Sequence, residues 1–431
     1  MQVTVVGAGY VGLVSAGAFA RWGHTVLAVD IDAGRIATLE AGRLPIHEPG
    51  LQALLQEGVA AGRLRFTTDL PTAVAGSAVV VIAVGTPPDA DGRADLSYVA
   101  DAARTIARAL TGYTVVVEKS TVPVRTGERV RRAMEHHVPP GIEFDVASNP
   151  EFLREGSAVK DALHPDRIVL GVSSERAEQV LRALYGGLTC PLIVTDVASA
   201  ELIKHAANSF LATKISFVNA VARVCELAGA NVDLVARGMG LDPRIGAQFL
   251  RAGIGYGGSC FGKDLDAFAE ISSELGYEFN LLREVQAINR GQRLHVLAKL
   301  REAMWVFKGK RVALLGLAFK PDTDDVRDAP ALTLARRLLE EGAHVIGHDP
   351  VAGPNAAAAC PGLELAPDVL AALHGADGAV LVTEWPCYRD LDLAAVRARM
   401  REPIVVDARN CWDPAAARAA GLTYHGIGRP S

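Results

Sequence analysis

The sequence has no pair of cysteines at CxxC spacing, and no histidine cluster lies beside its six cysteines, Cys190, Cys225, Cys260, Cys360, Cys387 and Cys411. A structural zinc site and a disulfide framework are therefore not expected, no metal ligands are assigned, and free thiols in a reducing cytosol fit better. No window of about 18 apolar residues lacks charge, so no membrane span is expected. No basic region precedes the short apolar run MQVTVVGAGYVG, so no signal peptide is expected and the chain reads as cytoplasmic. A net charge of −5 argues against broad nucleic-acid binding, while leaving room for a local basic pocket that takes a diphosphate. No tandem repeat is found. Half of the 431 residues are hydrophobic and 22% are charged, as in a globular chain of two to three domains.

What is present begins with strand–helix–strand. Val3–Val6 is an apolar run ending at Gly7, Val11–Trp22 has helical periodicity, and Thr25–Val29 is β-branched. Val79–Val84 and Thr114–Val117 read as further buried strands. The alternation predicts a parallel, doubly wound α/β sheet. From Ser199 to Ala228 there is neither Gly nor Pro, and Ile203, Ala206, Ala207, Phe210, Val218 and Val221 recur at helical spacing. That predicts one continuous helix, connecting or dimer-forming, with more helix to about Trp305. A second α/β pattern follows: strands at Arg311–Leu315, Ala343–Gly347, Ala379–Thr383 and Ile404–Asp407, a helix at Ala329–Glu341, and a loop or short helix at Ala356–Ala359. The domains are placed at 1–195, 196–300 and 301–431.

Gly7-Ala8-Gly9-Tyr10-Val11-Gly12 sits between a strand and a helix, where glycines permit a tight turn and close approach of a pyrophosphate to a helix N-terminus. Asp30 closes the next strand and suits a ribose 2′-hydroxyl, which favours NAD over NADP. Arg35 nearby can instead accept a 2′-phosphate, and FAD sites share the fingerprint.

Three pairs at i, i+4 spacing carry the chemistry. Glu151 and Glu155 follow Pro150; if helical, they share a face and one pKa rises, or they are merely a solvated helix start. Lys204 and Asn208 lie on the long helix, as an oxyanion stabiliser or as a snorkelling lysine with its head in water. Cys260 and Asp264 lie where the Gly-rich run Gly255–Gly262 enters a helix at about Lys263–Leu275. A helix start and Lys263 both favour thiolate, so Cys260 reads as a nucleophile, against the alternative of a small buried apolar residue. A thiol beside a nicotinamide site suits four-electron oxidation of an alcohol. Thiolate adds to the aldehyde, a second hydride leaves, and water cleaves the thioester.

These residues, with Ser120-Thr121-Val122-Pro123, Ser148–Gly156, Glu201–Asn208, Gly257–Asp264 and Phe319-Lys320 through Arg327, resemble the UDP-glucose/GDP-mannose dehydrogenase family along essentially the whole chain. The resemblance implies two Rossmann-like doubly wound domains joined by a long central helix and a helical dimerisation region, the last domain binding UDP. It implies Cys260 as nucleophile, with Lys204, Asn208 and Asp264 around the reacting carbon. Thr121 and Glu151 would handle water, with Glu151 as base. For NAD it implies Gly7, Gly9, Tyr10, Val11, Gly12, Asp30, Arg35, Thr86, Thr121, Glu155, Lys263 and Arg327. For a nucleotide sugar it implies Glu151, Phe152, Leu153, Lys204, Asn208, Phe249, Arg251, Gly255, Phe319, Lys320 and Arg409, with Arg244 reaching across a homodimer. Phe152–Gly156 and Pro165-Asp166-Arg167 look more like the UDP-glucose members. GDP-mannose or a UDP-N-acetylhexosamine, a catalytically silent NAD-binding regulator, and a two-electron β-hydroxyacid dehydrogenase remain as alternatives.

Overall fold

The computed structural model describes residues 1–87 and 94–430. The chain forms two compact units, each assembled from separated segments. The first comprises Met1–Ala207 with Asp266–Tyr277, and the second Asn208–Leu265 with Glu278–Ser431.

Among the described residues, the sheet of the first unit has eight strands: β1 (Gln2–Val6), β2 (Thr25–Val29), β3 (Leu64–Thr67), β4 (Val79–Ile82), β5 (Thr114–Glu118), β6 (Phe144–Ser148), β7 (Ile168–Gly171) and β8 (Leu192–Thr195). Their spatial order is β3-β2-β1-β4-β5-β6-β7-β8. All neighbours are parallel except β6 and β7. Helices cover both faces, so the central strands are apolar without alternation. Val79 and Val81 enter one core, with Val3, Leu13 and Phe19; Val80 and Ile82 enter the other, with Ile106 and Met134. The order reverses between β1 and β4, which is where an open α/β sheet leaves a crevice at its carboxyl edge.

The second unit repeats the scheme with β9 (Arg311–Leu315), β10 (His344–His348), β11 (Glu364–Leu365), β12 (Gly378–Leu381), β13 (Ile404–Asp407) and β14 (Thr423–Gly426). Their order is β11-β10-β9-β12-β13-β14, all parallel. The expected α/β class with two doubly wound sheets and a long helix is what forms. The long helix is Val197–Ala228, 32 residues, or about 48 Å at the usual rise. It begins in the first unit and continues into the second. The run Ala356–Ala359 is the end of a short helix, Gly353–Ala359. Among the described residues, no helix is long and apolar enough to cross a membrane.

One local expectation fails. Residues 149–156 are not helical, and the first helix after them is Ala158–Leu163. Glu151 and Glu155 therefore do not share a helix face. Pro150 can start a helix, but here the Glu151 carboxylate accepts from the Leu153 N–H at 2.6 Å, a local bond that competes with a helical start in this irregular segment.

Candidate active site

In the first unit, the helix Tyr10–Arg21 starts directly after β1 with Gly9 at its N-cap, and no side chain caps it. Its first N–H groups are thus left to a ligand. The glycines are there for geometric reasons. Gly7 has φ +103°, and a Cβ on it would lie 2.5 Å from the Ala83 carbonyl oxygen. A Cβ on Gly12 would lie 1.8 Å from the Gly7 carbonyl oxygen, whereas one on Gly9 would meet nothing within 4 Å. Gly7 and Gly12 make the turn, and Gly9 leaves open the space over the helix start.

Asp30, buried at the end of β2, accepts from the Ala8 N–H at 2.8 Å and the Asp32 N–H at 3.0 Å. It also holds the Arg35 guanidinium, Nη1 at 2.9 Å. Arg35 is thus tied to a carboxylate and does not form an open cradle for a 2′-phosphate. Open helix start, turn and acid together fit a dinucleotide with free ribose hydroxyls. Thr86 donates to the Thr121 carbonyl oxygen at 3.0 Å, joining the loop after β4 to the turn after β5. The Tyr10 hydroxyl bonds to Glu48, which also accepts from the Gly156 and Ala158 N–H groups at 2.6 and 2.8 Å. Glu48 therefore pins the turn that carries half-buried Glu155; sequence reading missed it because its partners lie 38 to 110 residues away.

Deeper in this unit Lys204 Nζ donates to Glu151 Oε1 at 2.7 Å, with the two side chains 6% and 8% exposed. Lys204 is no snorkelling lysine. Burial pushes the Glu151 carboxyl up, but the Lys204 charge and hydrogen bond, the Leu153 N–H and the Lys119 charge together bring it below its ordinary value. Phe152 lies against the same groups, its ring 5.7 Å from Lys204 Nζ and 3.7 Å from the Arg167 guanidinium carbon. One turn before Lys204, buried Glu201 accepts from the N–H groups of Arg125 and Gly127, at 2.6 and 2.8 Å, and so fixes the turn that follows Thr121.

In the second unit, Asn208 Nδ2 donates to Asp264 Oδ2 at 2.6 Å, both residues buried. Lys263 Nζ is 3.4 Å from the other Asp264 oxygen. Cys260 is exposed and stands immediately before the helix Phe261–Glu274, whose Asp264 N–H bonds to the Cys260 carbonyl at 2.9 Å. Its Sγ is 3.6 Å from the Ser259 hydroxyl. The reading of Cys260 as a small buried apolar residue is thereby excluded. The helix starts two residues earlier than expected, which brings the thiol closer to the first turn. Cys225 and Cys360 are the buried ones.

The glycines before Cys260 pass close to other segments of the chain. A Cβ on Gly257 would lie 2.4 Å from the Asp328 carbonyl oxygen, and one on Gly258 (φ +87°) would lie 2.8 Å from the Phe319 ring. Arg409 ties the same region together. Its guanidinium donates to the carbonyls of Val382 at 2.7 Å, Gly255 at 3.1 Å and Phe319 at 3.3 Å. Lys320 Nζ lies 5.2 Å from the Phe319 ring centre. Gly255, Phe319, Lys320 and Arg409, expected together on the nucleotide sugar, are gathered here. Phe249 holds a strained φ of +64°, in the segment leading to exposed Arg251. Arg327 is clamped on Asp325 at 2.7 Å. Arg244 is 88% exposed and bidentate to Asp242.

Three successive family models cover the chain. Residues 1–189 match the NAD binding domain of the UDP-glucose/GDP-mannose dehydrogenase family, residues 198–291 its central domain, and residues 313–414 its UDP binding domain. The chain belongs to the UDP-glucose/GDP-mannose dehydrogenase family. Its cofactor is NAD, in agreement with the turn, the open helix start and Asp30. A UDP-glucose 6-dehydrogenase of Rhizobium meliloti is 48% identical over the whole of both chains. Another, from Bacillus subtilis, is 46% identical over all of this chain and 94% of that one. Among solved structures, a UDP-glucose dehydrogenase from Pyrobaculum islandicum superposes with a TM-score of 0.93 at 42% identity, covering 99% of this chain and 97% of that one.

Proposed function

We propose that this family member oxidises UDP-glucose to UDP-glucuronate in two two-electron stages, with Cys260 as covalent nucleophile. The observation that carries the proposal is the placement of Cys260: exposed, at a helix start, with Lys263 and buried Asp264 in the first turn. Bound NAD⁺ supplies the hydride acceptor, one molecule for each stage. Asn208 and Lys204 steady the C6 oxygen while the alcohol proton and hydride leave to give the aldehyde. The Cys260 thiolate adds to that carbonyl carbon, and the resulting oxyanion is again met by Lys204 and Asn208. Loss of the second hydride leaves a thioester on Sγ. Glu151, ionised and oriented by the Leu153 N–H, takes a proton from water, assisted by Thr121. Hydroxide then displaces the thiolate, releasing the carboxylate. Each turnover consumes one water and two NAD⁺.

The UDP-glucose assignment rests on full-length likeness to UDP-glucose 6-dehydrogenases at up to 48% identity. Under excess NAD⁺, two NADH per UDP-glucose, with neither GDP-mannose nor UDP-N-acetylhexosamines consumed, is the expected outcome. Two NADH from another sugar would move the substrate and keep the chemistry. One NADH per sugar would sink the covalent reading.

We also infer a cytosolic homodimer. No disulfide joins the described cysteines, as expected in a reducing compartment. Phe210, Phe217 and Val224, seven residues apart, are 66%, 51% and 64% exposed on the long helix, beside Leu227 at 90%. Such a stripe is costly in water and suits a second copy, toward which exposed Arg244 would reach. Phe217→Asp is expected to convert a dimer to a monomer in light-scattering mass measurements. A parent that is already monomeric at micromolar concentration would refute the dimer.

A further inference from the structure

Glu151 and Lys204 have competing duties in the proposed chemistry. Lys204 is ion-paired with Glu151, yet it must also meet the oxyanion on C6. When it turns to that oxygen, Glu151 is left as a buried carboxylate, and desolvation then favours its protonated form, which is no base. A second cation lies behind it. Lys119, directly after β5, is buried, and its Nζ donates to Asn149 Oδ1 at 2.9 Å. Asn149 is itself fixed, its Nδ2 donating to the Val169 carbonyl at 2.8 Å and its Oδ1 accepting from the Tyr185 hydroxyl. Lys119, Asn149, Glu151 and Tyr185 line one cavity of about 260 Å³. Burial pulls the Lys119 ammonium down to about 8; the Glu151 charge opposes that shift and the Lys204 charge adds to it. Below that pH it is mostly charged. The other titratable or charged groups on the cavity are Arg154, Lys160, Asp161, His164, Asp166 and Arg167. Arg154 is locked to Asp161 at 2.6 Å and Arg167 lies on Phe152.

We propose that Lys119 is a positioning residue for the hydrolytic half-reaction: its ammonium, anchored on Asn149, keeps Glu151 ionised while Lys204 is engaged with the reacting oxygen. The inference rests on Glu151 being the base for thioester hydrolysis. Two readouts separate the two ideas: the acid limb of kcat against pH, and the mass of acid-quenched enzyme, which shows acyl adduct on Cys260. In Lys119→Met the acid limb is expected to move up by about one pH unit. Adduct should accumulate at low pH and clear as pH rises. Lys119→Arg, which keeps the charge, should retain the parent limb. An unmoved limb in Lys119→Met, or a loss of rate equal at every pH, overturns the proposal. If Lys119→Met does not fold, Asn149→Ala removes the anchor instead. A limb shifted in the same direction then supports the proposal and an unshifted one overturns it. Glu151→Gln should hold adduct at every pH. If it holds none, the base assignment itself is wrong, whatever Lys119 does.

Discussion

Cys260→Ser is expected to lower uronate formation by about 10³-fold or more, while NAD⁺ and UDP-glucose dissociation constants stay within about twofold. The reasoning is local. A hydroxyl at the same helix start is far less acidic than a thiol, so the helix terminus and Lys263 cannot convert it to an anion at neutral pH. The variant should release at most one NADH per active site before stalling at the aldehyde. Cys387→Ser is the matched control. Cys387 is also exposed, but burial of its sulfur and the charge of Asp349 push its thiol up. It sits far along the sequence from every residue assigned to the chemistry, and the parent rate should survive. Uronate made by Cys260→Ser at near the parent rate would refute covalent catalysis.

Lys204→Met should cost both stability and rate. It leaves Glu151 buried without its closest cation, a loss of about 3 kcal/mol for a broken buried pair. The rate should fall by about 10²–10³-fold as the oxyanion loses its ammonium. The pH sign follows from the direction of the Glu151 shift. Its folded value lies below the ordinary 4.5, so the pair's contribution is fully present above that pH and fades as pH falls through the lowered value. Urea midpoints of parent and variant should therefore differ at pH 7 and converge in acid. Adding Glu151→Gln to Lys204→Met should restore part of the loss, because it removes the stranded charge. Strictly additive effects of the two substitutions would show that the pair is not coupled.

Features whose cause is local were legible in the sequence. The Gly7–Gly12 turn, the long helix and the helix after Cys260 each announce themselves within a dozen residues, through glycine spacing, apolar periodicity or a break in it. Strands at the sheet margins were not. Leu64–Thr67 carries Arg65 and Thr423–Gly426 is Thr-Tyr-His-Gly, so neither reads as a buried apolar run. The irregular segment at 149–156 misled for a different reason. Its i, i+4 carboxylates satisfy a helix pattern, but one side-chain bond from Glu151 to the Leu153 N–H decides the backbone. The partners that set site electrostatics were also invisible. Lys204 meets Glu151 across 53 residues and Lys119 meets Asn149 across 30, distances that no local pattern encodes. Arg409 could be placed only through family resemblance, and the structure shows why it is there: three carbonyls from three separate segments converge on its guanidinium.

The first unit takes its last segment, Asp266–Tyr277, from well beyond its main stretch, which ends at Ala207. That segment is not an ornament. Phe268 packs its ring 5.9 Å from His205, and Ile271 and Glu270 help to wall a cavity with Arg125 and Arg129. During synthesis the ribosome delivers residues in order, at about 5–20 per second. The nascent NAD-binding half therefore waits several seconds on its final piece, and Tyr277 must also clear the exit tunnel before that half can close. A truncation ending near Ala207 would be born with this seat empty, a poor starting point for an isolated cofactor-binding fragment.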